Sequence, residues 1–293
     1  MDLHNIQLTL GSGKIPSVGL GTFTYFGKHG SPDDIEAAVD VALEAGYRHF
    51  ESAWAYGTQE AIGRALEKKI TEGVLDRKDV FITTKLWNTH HNPKLVLGEL
   101  KDSLKQLRTS YVDMFLMHCP TGQKDQDLSG DVIFATDKSD YAYYPLEDVW
   151  KAMERCHQLG LAKNIGLSNF TIEQTKRIFE RCTIKPSNMQ IEVSPYFLNE
   201  RLVKFCLGRR MTVTSFASLG CPSNPVRLAG KQGPLEDPVL IEIAKLKGKS
   251  VAQVILRFLI QYGCSVIPKS ITPARIWENM NASTYFFLKA RHI

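Results

Sequence analysis

The sequence predicts an α/β fold: a (β/α)8 barrel of parallel strands, with an N-terminal β-hairpin and two long loops, after strands four and seven. Three observations predict it. Short apolar runs alternate with helical patterns eight times along 293 residues. Each run ends in small or polar residues, and no Pro/Gly-rich linker separates independent halves. Alternation on this scale suits a closed parallel barrel better than an open doubly wound sheet. The expectation is one domain over 1–293.

The elements follow in order. Ile6-Gln-Leu-Thr-Leu10 has the period-2 pattern of a strand, Gly11-Ser12-Gly13 reads as a turn, and a return strand is expected near Lys14-Ile15. Barrel strands are then expected to begin near Val18, His49, Val80, Val112, Ala162, Asn188, Thr212 and Ser265. The helices between them fall near 32–45, 58–72, 93–107, 145–159, 171–181, 199–209, 238–261 (read as two) and 273–280. Ser31-Pro32, Asn92-Pro93 and Thr272-Pro273 each put a capping side chain before a proline at the first helical position. Gly46 is the expected stop of the first helix. The long loops, 119–144 and 217–237, are rich in Gly, Pro, Asp and Ser and fall on the face where barrels build their chemistry.

Composition excludes several classes. Hydrophobic residues make up 43% and charged residues 23%, enough apolar side chain for a sizeable core. The 36 Lys and Arg against 31 Asp and Glu leave a net +5 that is spread along the chain, which argues against nucleic acid as a partner. The most apolar stretch, 251–260, contains Gln253 and Arg257 and is too short and polar to span a bilayer. The start, Met1-Asp2-Leu3-His4, lacks a secretion signal, and the 6 cysteines form no C-x-x-C pair, so the reading is a cytoplasmic protein with reduced thiols and no metal site.

Reactive side chains of a barrel sit just beyond the strands' C-terminal ends. Those positions hold Thr22, Glu51 with Tyr56, Lys85, His118, Asn169, Gln190, Phe216 and Lys269. Glu51, Tyr56, Lys85 and His118 combine a carboxylate, a phenol, an amine and an imidazole at the ends of strands two, three and four. An ammonium beside a phenol favours its ionised form and lowers its pKa, a carboxylate holds that ammonium, and an imidazole can hydrogen-bond a substrate oxygen. Together they make a device for protonating a developing alkoxide. Taken singly, each has an ordinary use: a packing tyrosine, a core histidine, a solvated lysine. A second cluster, Ile267 to Arg275, runs from the last strand into a proline-started helix. There Lys269 and Arg275 add charge to a helix N-terminus, a phosphate-binding arrangement or else a plain capped helix. Gly19 and Gly21 do not complete a G-x-G-x-x-G dinucleotide turn.

The ordered segments Gly19-Leu-Gly-Thr-Phe23, Gly46-Tyr-Arg-His-Phe-Glu-Ser-Ala53 with Tyr56-Gly57, and Thr84-Lys85-Leu-Trp87 are followed by Tyr111 to His118, Gly166-Leu-Ser-Asn-Phe170, Gln190-Ile-Glu192 and 267–279. With these the chain resembles the aldo-keto reductases over nearly its whole length. The resemblance implies a (β/α)8 (TIM) barrel that binds NADP(H) and reduces aldehydes or ketones. It implies Tyr56 as general acid, Lys85 as its partner, Glu51 as the supporting carboxylate and His118 as the group orienting the carbonyl. It places Thr22, Ser168, Asn169, Gln190, Phe216 and Leu219 at the cofactor, with Lys269, Ser270, Thr272 and Arg275 at the 2′-phosphate and Glu278 and Asn279 at the adenine. Phe23, Trp87, His118 and Cys119 fall at the substrate.

Several residues depart from the family pattern. Glu51 stands where the family has aspartate, Phe216 where it usually has tyrosine, Ala217 for a frequent serine and Cys119 for a bulky aromatic. The likeness stops near Leu288, and Lys289 to Ile293 looks unrelated to the family's pocket-covering tail. Glu51, one methylene longer, is expected still to pair with Lys85 but imperfectly, with the extra carbon folded away or the ammonium displaced, so that the enzyme is slow and Glu51→Asp is faster. Two other readings remain open. One is a barrel that binds NADP(H) with weak or lost turnover and serves as a sensor or binding protein. The other, a metal-dependent hydrolase, needs a ligand set that this ring of residues does not offer. The small-molecule carbonyl substrate is unnamed, and the expected state is a monomer.

Overall fold

The structure, a computed structural model, describes residues 5–7, 13–24, 30–124, 140–222 and 232–283. The chain opens with strands β1 (Asn5–Gln7) and β2 (Lys14–Pro16), paired antiparallel with Ile6 opposite Ile15. This is the predicted hairpin, although turn residues 11 and 12 lie outside the described residues. Ile15 packs with Phe81, Met114 and Leu116, near the N-terminal ends of two barrel strands, so the hairpin plugs the bottom of the barrel.

Eight parallel strands follow: β3 (Leu20–Gly21), β4 (His49–Glu51), β5 (Phe81–Leu86), β6 (Met114–Met117) and, beyond a small antiparallel pair β7 (Gly122–Gln123) and β8 (Tyr141–Ala142), β9 (Ile165–Ser168), β10 (Asn188–Glu192), β11 (Thr212–Phe216) and β12 (Cys264–Val266). They are hydrogen-bonded in the order β3-β4-β5-β6-β9-β10-β11-β12. Parallel bridges Val18 to Val266 and Gly21 to Lys269 join the first strand to the last. Gly19 N donates to Val266 O (2.8 Å) and Val266 N to Ser17 O (2.8 Å), which closes the barrel. Closure explains the glycine at 21: a Cβ there would lie 2.5 Å from the Ile267 carbonyl oxygen.

Helices α1 (Pro32–Glu44), α2 (Gln59–Thr71), α3 (Val96–Gln106), α4 (Leu146–Gln158), α5 (Ile172–Arg181), α6 (Glu200–Gly208), α7 (Pro238–Lys247), α8 (Val251–Tyr262) and α9 (Pro273–Met280) surround it. Helix α1 starts where the sequence predicts: the Ser31 hydroxyl accepts from Asp34 N, and Asp34 answers on the Ser31 backbone. It buries Ile35, Ala38, Val39, Ala42 and Leu43, the 3.6-period face read in the sequence. Each fully buried Val, Leu or Ile contributes about 1.5–3 kcal/mol, so this face anchors the helix more firmly than its cap does.

One predicted start and one predicted cap are corrected. Asn92-Pro93 does not begin a helix. The Asn92 side chain accepts from Lys94 N (3.1 Å) and its carbonyl from Leu95 N (2.8 Å), so a turn closes first and α3 begins at Val96. Thr272 stands at the N-cap of α9 without a side-chain cap bond, because its own N–H is turned onto the Ser270 hydroxyl (3.1 Å). Of the two long loops, 125–139 and 223–231 lie outside the described residues, as does the tail from 284 onward.

Candidate active site

Glu51 is the last residue of β4, Lys85 lies near the end of β5, and His118 follows β6, so three neighbouring strands deliver three of the four groups. Tyr56 arrives on the short 3-10 turn Trp54–Tyr56, ended by Gly57 in the left-handed region at φ 65°. The structure brings the quartet together. The Lys85 ammonium, with its side chain 0% exposed, donates to the Glu51 carboxylate, to Ser52 O (2.9 Å) and to Tyr56 Oη (3.0 Å). All three of its protons are therefore placed, as a buried lysine requires. Lys85 reaches both Glu51 and the phenol, so the longer carboxylate does not draw the ammonium away from Tyr56, and a shorter aspartate is no longer expected to be the faster residue. The Glu51 backbone is held from behind: Thr22 Oγ1 donates to Glu51 O (2.9 Å), and Thr58 links the Thr22 and Ser52 hydroxyls (2.8 and 2.9 Å).

The electrostatics correct one expectation. Burial, together with the Glu51 charge, pushes the Tyr56 phenol well above its ordinary value instead of below it. Glu51 neutralises the ammonium that was to depress it. The phenol therefore holds its proton at neutral pH, as a proton donor must, and Lys85 is positioned to stabilise the phenolate only as it forms. Burial and the Lys85 charge hold the His118 imidazole well below the usual histidine range, so it is neutral. Its Nδ1 finds no hydrogen-bond partner among the described residues. Its ring stands edge-on to Tyr56 (5.6 Å between centroids) and to Trp87 (5.0 Å).

The expected substrate residues divide. Phe23 is 37% exposed, 4.9 Å from the Tyr56 ring, and forms an open wall. Trp87 is 1% exposed and backs His118 from inside. The Cys119 thiol takes a long contact from Asn169 Nδ2 (3.7 Å), and burial raises its pKa. Trp54, on the same turn as Tyr56, escaped the sequence reading. An aromatic two residues before the proposed acid was the available signal.

Of the residues expected at the cofactor, Ser168 ends β9 and Asn169 follows it, Gln190 lies midway along β10, and Phe216 ends β11. Asn169 adopts φ 62°, and its amide donates to His118 O (2.9 Å) and Ser168 Oγ (3.2 Å). Gln190 is 3% exposed, and its amide has no partner among the described residues. A cavity of about 680 Å³ opens beside Asn169 and Phe216 and runs between the starts of α5 and α6. None of the quartet lines it, so it lies beside the ends of β9 and β11 and away from Tyr56. Thr22 is fully buried with its hydroxyl committed to Glu51 O, so only its backbone is left for a cofactor. Leu219 packs half-buried against the core, beyond Ala217 in the left-handed region (φ 52°).

The residues at the start of α9 suit a phosphate. Pro273 has no N–H, and the amides of Ala274 and Arg275 meet no acceptor among the described residues. Lys269 is half-buried, its pKa lowered by burial, and Arg275 is exposed. Ser270 is turned onto Thr272, as described above. Glu278 is already held by the Ser250 hydroxyl and Asn279 is 4% exposed, so neither stands open to an adenine. Among the described residues no group of three His, Cys, Asp or Glu side chains is placed to hold a metal ion.

A proton-loaded phenol, a buried ammonium and a neutral imidazole at the C-terminal mouth of a (β/α)8 barrel, beside a helix start that suits a phosphate, define a barrel oxidoreductase. Residues 17–291 match the Aldo/keto reductase family, and the chain belongs to it. It is 40% identical over 276 residues to Aldo-keto reductase family 1 member A1-A of Danio rerio, covering 93% of this chain and 83% of that one. It is 35% identical over 282 residues to the NAD(P)H-dependent 6'-deoxychalcone synthase of Glycine max, covering 95% and 85%. The solved aldose reductase of Schistosoma japonicum superposes with a TM-score of 0.85 at 38% identity, over 97% of this chain and 88% of that one. The protein is an oxidoreductase of carbonyl compounds with a nicotinamide cofactor.

Proposed function

We propose that this chain reduces aldehydes or ketones to alcohols with NADPH, with Tyr56 as the proton donor. The observation that carries the reading is the Lys85 ammonium shared between Glu51, Ser52 O and Tyr56 Oη (3.0 Å). NADPH supplies the hydride when bound. His118, neutral, donates a hydrogen bond to the carbonyl oxygen and aims it at the phenol. Tyr56 passes its proton to that oxygen as alkoxide character develops. The phenolate left behind is stabilised by Lys85, whose own charge is balanced by Glu51. Phe23 and Trp54 shield the oxygen from bulk water, which strengthens each of these interactions.

The unpartnered Gln190 amide, with Asn169 and Ser168, fits a carboxamide, and Phe216 offers a ring face without a hydroxyl. The amides of Ala274 and Arg275 with Lys269 fit a 2′-phosphate, which favours NADPH over NADH. Residues 1–293 act as one barrel domain, and the protein works as a cytoplasmic monomer. In support, no helix among the described residues is long and apolar enough to cross a membrane, and none of the 6 cysteines, all described, is in a disulfide. The reading that turnover has been lost is not favoured, since the quartet is assembled. The test is oxidation of NADPH, followed at 340 nm, with 4-nitrobenzaldehyde and with propanal. Cofactor binding without oxidation by either would reject it.

A further inference from the structure

Behind the proposed pocket lies a second buried acid that the mechanism does not use. Glu99, in the first turn of α3, has a side chain with no solvent exposure. Both its oxygens accept from the Trp87 backbone N–H (3.1 and 3.0 Å), and one lies 3.0 Å from His90 Nδ1. Each contact leads to an aromatic ring beside the quartet. Trp87 stands edge-on to His118 (5.0 Å), and the His90 ring stands edge-on to Trp54 (5.0 Å), two residues before Tyr56. One carboxylate thus ties the end of β5 and the Trp54–Tyr56 turn to the same helix.

We propose that Glu99 and His90 form a positioning pair that holds the Trp87 ring behind His118 and the Trp54 ring on the Tyr56 turn, and thereby sets affinity for aromatic carbonyl substrates. The proposal rests on the reductase reading. Neither residue touches the reacting atoms, so the pair acts on substrate binding and not on proton transfer. An ionised Glu99 accepts from both Trp87 N and a His90 N–H. A protonated one gives up part of that capacity and loosens both rings.

Burial raises the Glu99 carboxyl to about 7, against the lowering effect of His90 and the Trp87 N–H. The groups facing the pair are Asp102 on its own helix, His91 on the preceding turn and Cys156 on α4. His91 titrates at about 4 and the Cys156 thiol at about 12, both outside the pH 6–8 window. Gain of a proton by the pair should therefore raise KM below neutrality.

The experiment compares wild type with Glu99→Gln, Glu99→Ala and His90→Ala on 4-nitrobenzaldehyde and propanal, from pH 6 to 8. For wild type, KM for 4-nitrobenzaldehyde should rise about fivefold from pH 8 to 6, with kcat changing less than twofold. Glu99→Gln keeps one acceptor for Trp87 N and should flatten that pH dependence. Both alanine variants should raise KM for 4-nitrobenzaldehyde about five- to tenfold at pH 8, with little change for propanal or for the NADPH Kd. KM values within twofold of wild type for both aldehydes would overturn the proposal, as would kcat and NADPH affinity falling together. Tryptophan emission gives a readout free of turnover. Wild type should show a transition centred near pH 7, and Glu99→Gln should not. If wild type oxidises no NADPH with either aldehyde, the reductase reading fails by itself, and the emission transition still decides the pair: its presence in Glu99→Gln, or its absence from wild type, refutes it.

Discussion

Shortening Glu51 to aspartate withdraws the carboxylate by one carbon–carbon bond, about 1.5 Å. The Lys85 ammonium now meets Glu51, Ser52 O (2.9 Å) and Tyr56 Oη (3.0 Å) at once, and it has no fourth proton to spend. In Glu51→Asp it must follow the carboxylate and leave the phenol, or stay with the phenol and lose the carboxylate. Either course removes one charge-assisted hydrogen bond inside a dry site, worth roughly 1.5–3 kcal/mol. At about 1.4 kcal/mol per factor of ten, kcat should fall about 10- to 100-fold. NADPH affinity should change less than threefold, since among the described residues the Glu51 carboxylate is hydrogen-bonded to Lys85 alone. Steady-state kinetics on 4-nitrobenzaldehyde at pH 7 measure both quantities. Equal or faster turnover by Glu51→Asp would refute the reasoning, because it would mean that the backbone of β4 already places a shorter carboxylate within reach.

Other outcomes follow from the same geometry. Lys85→Met should lower kcat by at least about 10²-fold, the usual scale of lost general-acid assistance; single-turnover NADPH oxidation checks it. Arg275→Met should weaken NADPH binding about tenfold and leave NADH unchanged, as read by fluorescence titration of each cofactor; equal losses for both would count against a 2′-phosphate site. Gly21→Ala places a Cβ 2.5 Å from the Ile267 carbonyl oxygen, and should destabilise the closed barrel by about 1–3 kcal/mol in urea melts. Acid should unfold the protein through its buried neutral histidines. His49 is held to about 3 and His91 to about 4 in the fold, against 6.5 when unfolded. With native pKa values depressed, the unfolded state binds more protons between pH 6.5 and 4, so stability falls as pH falls. Glu99, raised to about 7 from 4.5, works in the opposite sense over its own window. These three groups leave a net loss of roughly 1 kcal/mol per pH unit near pH 5.5, and the depressed His118 acts in the same direction as the other two histidines. Urea melts at pH 5 and 6 test this, and a flat profile would contradict it.

How far the sequence reached is clearest at individual residues. Periodicity and capping chemistry are local, so α1 begins at Pro32 as read from Ser31-Pro-Asp-Asp, and the eight strand positions emerge from alternation alone. Asn92-Pro93 carried the same local signal and failed, because a turn bond from Lys94 to the Asn92 side chain competes with the cap. The four groups of the site were legible because a barrel places its chemistry at consecutive strand ends. The protonation of Tyr56 was not: its direction depends on burial and on how closely Glu51 neutralises Lys85, which only coordinates reveal. The burial of Trp87 and its link to Glu99 also join residues through packing that no spacing rule encodes.

The central claim is that Tyr56 supplies the proton while the rest of the barrel supplies cofactor and carbonyl binding. Wild type and Tyr56→Phe should therefore be compared in a single-turnover assay, with enzyme in excess over NADPH and 4-nitrobenzaldehyde saturating, following absorbance at 340 nm. Wild type should oxidise the NADPH with one alcohol formed per cofactor. Tyr56→Phe should bind NADPH with Kd within threefold of wild type and oxidise it about 10²–10⁴-fold more slowly. Turnover by Tyr56→Phe within tenfold of wild type would contradict the account and move the proton source to His118 or water.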